Sequence, residues 1–175
     1  MRVVFAGATR GMGRALSRLL AERGDALFLL GRDEEELARS ARDLEARAPD
    51  ETRVGTARLD LAGSSGFDAA LLAAEEALGG FDTVIVTAGL FATQEELEAD
   101  PARLEELLTV NFTNTILLCE AARKRLLARG GGTLVVFSSV AGDRGRKPVA
   151  LYGATKAGLS PYLESLDPRS RASGL

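Results

Sequence analysis

Short apolar runs alternate with helix-period segments along this chain, and that alternation constrains the fold more than any other feature. Residues 3–6 form a continuous apolar run that ends in glycine. Residues 11–23 follow, with Met12, Ala15, Leu16, Leu19 and Leu20 at helical spacing. A second apolar run covers 26–30. Residues 33–48 read as a polar helix with Asp33 as N-cap and Glu36 completing a capping box. A weaker strand at 53–59 leads to a helix at 64–78, stopped by Gly79 and Gly80, and then to a β-branched strand at 83–87. Helices at 95–108 and 110–129 follow, the second stopped by Gly130, Gly131 and Gly132, and a strand is expected at 133–138. A polar loop rich in Gly and Arg leads to a last helix at 151–166, which Pro161 is placed to kink or divide.

Strands that alternate with helices build βαβ units and a parallel sheet. Continuous apolar strands are expected where both faces of the sheet are covered. Five strands therefore predict an α/β, Rossmann-type doubly wound sheet in the order 3-2-1-4-5, with helices on both faces. The chain shows no internal repeat or linker, so residues 1–175 are expected to form one nucleotide-binding domain. The last dozen residues are polar and expected to fray.

Composition narrows the chemistry. The chain has no His, which excludes a Ser-His-Asp triad and histidine metal ligation. Its one Cys, Cys119, excludes a cysteine zinc site or an intrachain disulfide and sits in an apolar run that reads as packing. A net charge of −3 gives no reason to expect nucleic-acid or anionic-membrane binding. No apolar stretch approaches the length of a membrane span, and the chain opens with Met-Arg and a short strand rather than a signal sequence. The expectation is a cytoplasmic protein whose chemistry comes from Ser, Thr, Tyr, Lys, Arg, Asp, Glu or a bound cofactor.

Between the first strand and the first helix lies Gly7-Ala8-Thr9-Arg10-Gly11-Met12-Gly13. Glycines there let the backbone turn tightly and approach a pyrophosphate, which meets the free N–H groups of the helix N-terminus. An NAD site usually carries an acid at the end of the second strand. Here that place reads Leu30-Gly31-Arg32, and the nearest acid, Asp33, is accounted for as a helix cap. Arg32 and Arg10 suit a 2′-phosphate, so NADP(H) is the expected cofactor.

Tyr152 and Lys156 are four residues apart, on one face of the last expected helix. An ammonium beside a phenol eases release of the phenolic proton, which suits a general acid. Taken alone, the pair equally fits a half-buried tyrosine with a solvated lysine.

The glycine turn, Asn111, Ser139, Tyr152 and Lys156 together resemble the short-chain dehydrogenase/reductase family. The family's T-G-x-x-x-G-x-G motif falls on residues 6–13, with Ala6 in place of Thr. Its N-N-A-G motif falls on Val86, Thr87, Ala88 and Gly89, where both asparagines are missing. Asp60 matches the family's adenine-contacting acid, and Ser139 precedes Tyr152 by the family's usual thirteen residues. Ser138 is read as finishing the strand. The resemblance implies hydride transfer from NADPH to a carbonyl carbon. Tyr152 would donate the proton, and Lys156 would assist it and hold the nicotinamide ribose. Ser139 would orient the carbonyl, and Asn111 would hold a water in a relay behind Lys156. It also implies cofactor contacts at Gly7, Thr9, Arg10, Gly11, Met12 and Gly13, at Arg32, at Asp60 and Leu61, and at Ala88, Gly89, Tyr152 and Lys156.

A narrower likeness links residues 138–147 and the following Tyr-Gly-Ala-Thr-Lys to decaprenylphosphoryl-2-keto-erythro-pentose reductases and their relatives. It implies a keto-sugar substrate on a lipid phosphate, met by Arg144, Arg146 and Lys147, although a solvated loop accounts for the same cations. The resemblance further implies a homo-oligomer formed through the helices at 110–129 and 151–166. Against the family, the sixth and seventh strands are expected to be missing, because residues 171–175 end where the sixth would begin. The alternative function is then an inactive fragment or a non-catalytic NADP-binding or interaction protein.

Overall fold

Five parallel strands carry the fold: β1 (Arg2–Ala6), β2 (Ala26–Gly31), β3 (Gly55–Arg58), β4 (Thr83–Val86) and β5 (Thr133–Val136), in the order β3-β2-β1-β4-β5. They belong to a computed structural model that describes residues 1–49 and 54–170, with side chains in the last helix as far as Leu166. Arg53, expected to open the third strand, and residues 171–175 lie outside the described residues.

The helices are α1 (Gly11–Glu22), α2 (Glu34–Glu45), α3 (Phe67–Leu78), α4 (Gln94–Ala99), α5 (Pro101–Leu108), α6 (Asn114–Ala128) and α7 (Ala150–Ser170). The continuous apolar strands now have their explanation. Val3, Phe5, Leu27, Leu29 and Ile85 pack on one face with Leu20 of α1 and Leu37 and Leu44 of α2. Val4, Ala6, Phe28, Leu30, Val84 and Val86 pack on the other with Leu71 of α3 and Leu118, Ala122 and Leu126 of α6. Each buried Leu, Val or Phe contributes about 1.5–3 kcal/mol, so neither face tolerates a charge. β1 is followed by connections that run to opposite sides, and the strand order reverses between β1 and β4. A doubly wound sheet opens a crevice at that point, beyond the carboxyl ends of its strands.

Besides small shifts at other element ends, β5 stops at Val136, so Ser138 lies beyond the strand it was expected to finish, and three helical features differ from expectation. The helix expected at 95–108 is two helices, because Pro101 drives Asp100 to an extended conformation (φ −134°, ψ 94°). Asp100 then caps α5, accepting from the N–H groups of Ala102 and Arg103. The break expected before residue 110 is instead a π-helical turn, Thr109–Thr113, that joins α5 to α6. Pro161 does not divide the last helix. It removes one backbone donor from α7, which continues to Ser170.

Asp33 does cap α2, accepting from Glu36 N at 3.0 Å. The Glu36 carboxylate does not complete the expected box. It is taken up by Arg39 at 2.6 Å, Arg14 at 3.4 Å and Arg10 at 4.0 Å. A complete capping box stands instead at the start of α4, between Thr93 and Glu96.

Candidate active site and nucleotide cleft

β1 ends at Ala6, and the chain enters α1 at Gly11. The turn is held against the neighbouring strand by the Thr87 hydroxyl, which donates to the Gly7 carbonyl at 3.0 Å. Thr87 stands where the family motif has asparagine, and its hydroxyl supplies a brace of its own. Gly13 lies under this bond. A Cβ there would press into the Gly7 carbonyl oxygen and stand 2.6 Å from Thr87 Oγ1. Gly11, by contrast, has φ +52° and open space above it.

The N-terminus of α1 is uncapped. Arg10 occupies the N-cap position without a side-chain bond, and the first turn holds no acid. The donors of that turn therefore have no side-chain acceptor, unlike those of α2, α4 and α5. An uncapped helix start beside open glycine backbone fits a pyrophosphate.

In front of it lies a cleft of about 330 Å³ at the carboxyl ends of β1 to β4. Of the residues expected to hold cofactor, Gly7, Thr9, Arg10, Gly11, Arg32, Asp60, Leu61, Ala88 and Gly89 line it. Met12 and Gly13 do not: Met12 is 72% exposed, and Gly13 is buried behind the turn. The cleft also uses Leu30, Gly31, Leu59, Thr87, Leu90 and Val110. Most of these lie at or just beyond strand ends, which was the available signal. Asp60 Oδ1 accepts from Ala62 N at 3.0 Å, which fixes the turn after β3. Arg32 is exposed and makes no ion pair or hydrogen bond among the described residues. Arg10 is more weakly available, since it lies near Glu36.

Of the other expected residues, Lys156 and Asn111 meet beyond the Gly89 end of this cleft. Lys156 is 6% exposed and donates from Nζ to the Phe137 carbonyl at 3.2 Å. Burial pushes its pKa below the usual 10.5. A Cβ on Gly89 would lie 3.6 Å from Lys156 Nζ and 3.1 Å from Asn111 Oδ1, so these groups converge there. Asn111, fully buried in the π-helical turn, clamps Leu90: Oδ1 accepts from Leu90 N and Nδ2 donates to Leu90 O, each at 2.7 Å. Nδ2 also reaches Thr155 Oγ1 at 3.5 Å. That leaves one Oδ1 lone pair as the side chain's free capacity for a relay.

Ser139 caps a short 3-10 turn, its Oγ accepting from Ala141 N at 3.2 Å, which leaves its own proton free to donate. Ser138 has a different partner set: its Oγ donates to the Lys156 carbonyl at 3.2 Å and lies 3.3 Å from Ser160 Oγ, docking α7 on the end of β5. Tyr152 is half-buried, edge-on to Phe91 with ring centroids 5.1 Å apart. Arg144, Arg146 and Lys147 are exposed in the loop between Ser139 and Tyr152 and form no ion pair among the described residues. Burial pushes the Cys119 thiol up to about 12, so it is inert packing. Among the described residues no helix is long and apolar enough to cross a membrane, and no cluster of His, Cys, Asp or Glu is fit to hold a metal.

The sequence matches the short chain dehydrogenase family over residues 1–174. It is 31% identical over 166 residues to carbonyl reductase family member 4 of Danio rerio, covering 95% of this chain and 67% of that protein. It is 34% identical over 169 residues to an uncharacterized oxidoreductase of Myxococcus xanthus, covering 97% and 66% respectively. Among solved structures, a putative short chain dehydrogenase from Escherichia coli CFT073 superposes with a TM-score of 0.87 at 26% identity, over 98% of this chain and 76% of that one. A short-chain dehydrogenase/reductase from Mycobacterium ulcerans gives 0.89 at 21% identity, covering 98% and 62%, a likeness of fold. This chain spans part of the length of each of these relatives.

Proposed function

The chain belongs to the short chain dehydrogenase family, and we propose that it is an NADPH-dependent carbonyl reductase with Tyr152 as proton donor. The observation that carries this reading is the buried Lys156 ammonium at the Gly89 end of the nucleotide cleft, one helical turn from Tyr152. The Danio rerio relative, named a carbonyl reductase, supports the reaction class.

NADPH, when bound, supplies the hydride. The uncapped start of α1 would hold the pyrophosphate, and Arg32, which has no carboxylate partner among the described residues, would take the 2′-phosphate with help from Arg10. Asp60 and Leu61, which line the cleft, would contact the adenine. The Ser139 hydroxyl donates to the substrate carbonyl oxygen and fixes its direction. Tyr152 passes its proton to that oxygen as negative charge develops there. The Lys156 charge stabilises the phenolate left behind, and the free Oδ1 lone pair of Asn111 anchors the water that returns a proton.

The experiment is loss of NADPH absorbance with a panel of ketones, alongside NADPH titration. Tyr152→Phe should abolish turnover and leave NADPH affinity unchanged, and retained turnover refutes the donor assignment. Binding without turnover in any oligomeric state would instead support a non-catalytic NADP-binding protein. A phosphorylated keto-sugar substrate rests on Arg144, Arg146 and Lys147. With all three replaced by alanine, activity should fall on phosphorylated ketones and hold on neutral ones, and equal loss on both removes the idea. We place the protein in the cytoplasm and take the outer faces of α6 and α7, where Leu117 is 46% exposed, as the surface for a second copy.

A further inference from the structure

Tyr152 lies in the first turn of α7, and that turn is held from outside by a different helix. Gln94, the first residue of α4, accepts on Oε1 from the Leu151 N–H at 3.0 Å. Leu151 N–H is among the donors that a helix start leaves without an internal partner. The other end of the Gln94 amide donates from Nε2 to Glu98 Oε1 at 2.8 Å, which sets the oxygen toward α7. α4 is itself anchored: Thr93 Oγ1 accepts from Glu96 N at 3.3 Å, and Glu96 accepts from Thr93 N at 2.8 Å.

The same segment touches Tyr152 directly. Phe91 meets its ring edge-on, and Leu97 packs in the small cluster that includes Leu151 and Tyr152. Phe91 follows Leu90, whose backbone Asn111 clamps at the Gly89 end of the cleft. A continuous stretch thus runs from the cleft wall to the first turn of α7. Gln94 lines no part of the nucleotide cleft.

We propose that Gln94, with Phe91, is the positioning pair that holds the Tyr152 phenol in place relative to the nucleotide cleft. This rests on the reading of Tyr152 as proton donor. Helix ends fray, and a phenol in a first turn moves with that turn. A misplacement of about 1 Å at a reacting group costs up to about a hundred-fold in rate.

The chain has two tyrosines and no tryptophan, so isotope-labelled tyrosine rings give two signals, from Tyr152 and Tyr162. Tyr152→Phe and Tyr162→Phe assign them. In Gln94→Ala the Tyr152 signal should move while the Tyr162 signal stays, and the exchange of Gln94→Glu with Glu98→Gln, which keeps both the acceptor for the Leu151 N–H and a donor–acceptor pair between positions 94 and 98, should return it. With NADPH and diacetyl, kcat of Gln94→Ala should fall about ten-fold at unchanged NADPH Kd. An unmoved Tyr152 signal overturns the proposal, as does a joint shift of both tyrosines, which marks general loosening. A moved Tyr152 signal with unchanged kcat also overturns it. If Tyr152→Phe still turns over, the donor reading fails, and the ring signals still decide whether Gln94 places the phenol.

Discussion

Gly13→Ala tests whether the nucleotide turn is set by backbone contact rather than by glycine flexibility. The new methyl would meet the Gly7 carbonyl oxygen and Thr87 Oγ1, and those two atoms are bonded to each other at 3.0 Å. Neither is the free end of a flexible chain: one is backbone, and the other is held by its own hydrogen bond. Overpacking of this kind costs about 1–3 kcal/mol, and breaking the Thr87–Gly7 bond adds about 1 kcal/mol. The better helix propensity of Ala returns up to about 1 kcal/mol. The net loss is about 1–3 kcal/mol, or a fall in Tm of roughly 2–12 °C at 2–4 °C per kcal/mol for a chain of this size. Gly11→Ala is the control, since nothing lies within 4 Å of a Cβ there and only φ +52° opposes it. It should cost about 1–2 kcal/mol, and its methyl should obstruct the cleft that Gly11 lines. Calorimetric melting and NADPH titration of both variants separate the effects: Gly13→Ala, outside the cleft lining, loses stability at nearly unchanged affinity, whereas Gly11→Ala loses affinity in addition to its backbone cost. A Gly13→Ala protein within about 0.5 kcal/mol of wild type refutes the packing argument.

Arg32→Ala should weaken NADPH about ten- to hundred-fold, the worth of one charge-assisted contact of 1.5–3 kcal/mol, and leave NADH unchanged; equal losses for both cofactors refute a 2′-phosphate role. Asn111→Ala leaves the Leu90 N–H and C=O without their partner, at about 1–3 kcal/mol for each, and urea denaturation should show a loss of about 2–6 kcal/mol, whereas a loss below about 0.5 kcal/mol refutes the clamp. Burial lowers the Lys156 pKa in the fold, so between that value and 10.5 the unfolded chain binds more protons and wild-type stability rises with pH relative to Lys156→Met. Urea midpoints of the two proteins, compared from neutral to alkaline pH, check this slope, and a difference that does not vary with pH refutes it.

The sheet was legible because its inner strands β1, β2 and β4 answer to one rule, burial on both faces, whereas the edge strands β3 and β5 are only partly buried. Val3 to Ala6 and Leu27 to Leu30 show that rule without exception. The break at Asp100 was written as an Asp-Pro pair, yet Leu97, Leu104 and Leu107 keep an apolar stripe running across it. Periodicity therefore outweighed a signal confined to one residue. The π-helical turn at Thr109–Thr113 was hidden for a related reason. One extra residue in a turn scarcely changes apolar spacing, although it is this turn that carries Asn111. The Asp33–Glu36 box failed for a tertiary reason, since three arginines reach the Glu36 carboxylate and its own helix start does not.

The site divides along the same line. The glycine turn and the Tyr152–Lys156 spacing belong to single elements, so their geometry follows from local sequence. The groups that aim them act between elements. Asn111 holds Leu90, Thr87 holds the Gly7 carbonyl, Ser138 docks α7 through the Lys156 carbonyl, and Gln94 holds the Leu151 N–H. No spacing rule connects these pairs, because each partner is chosen by how α4, α6 and α7 meet the ends of β4 and β5. A chain could keep every motif residue, lose Gln94 and Asn111, and still present the same signature with its phenol displaced from the cleft. On the proposed reading of Tyr152 as donor, the motif specifies which proton can move, and these inter-element bonds specify where it goes.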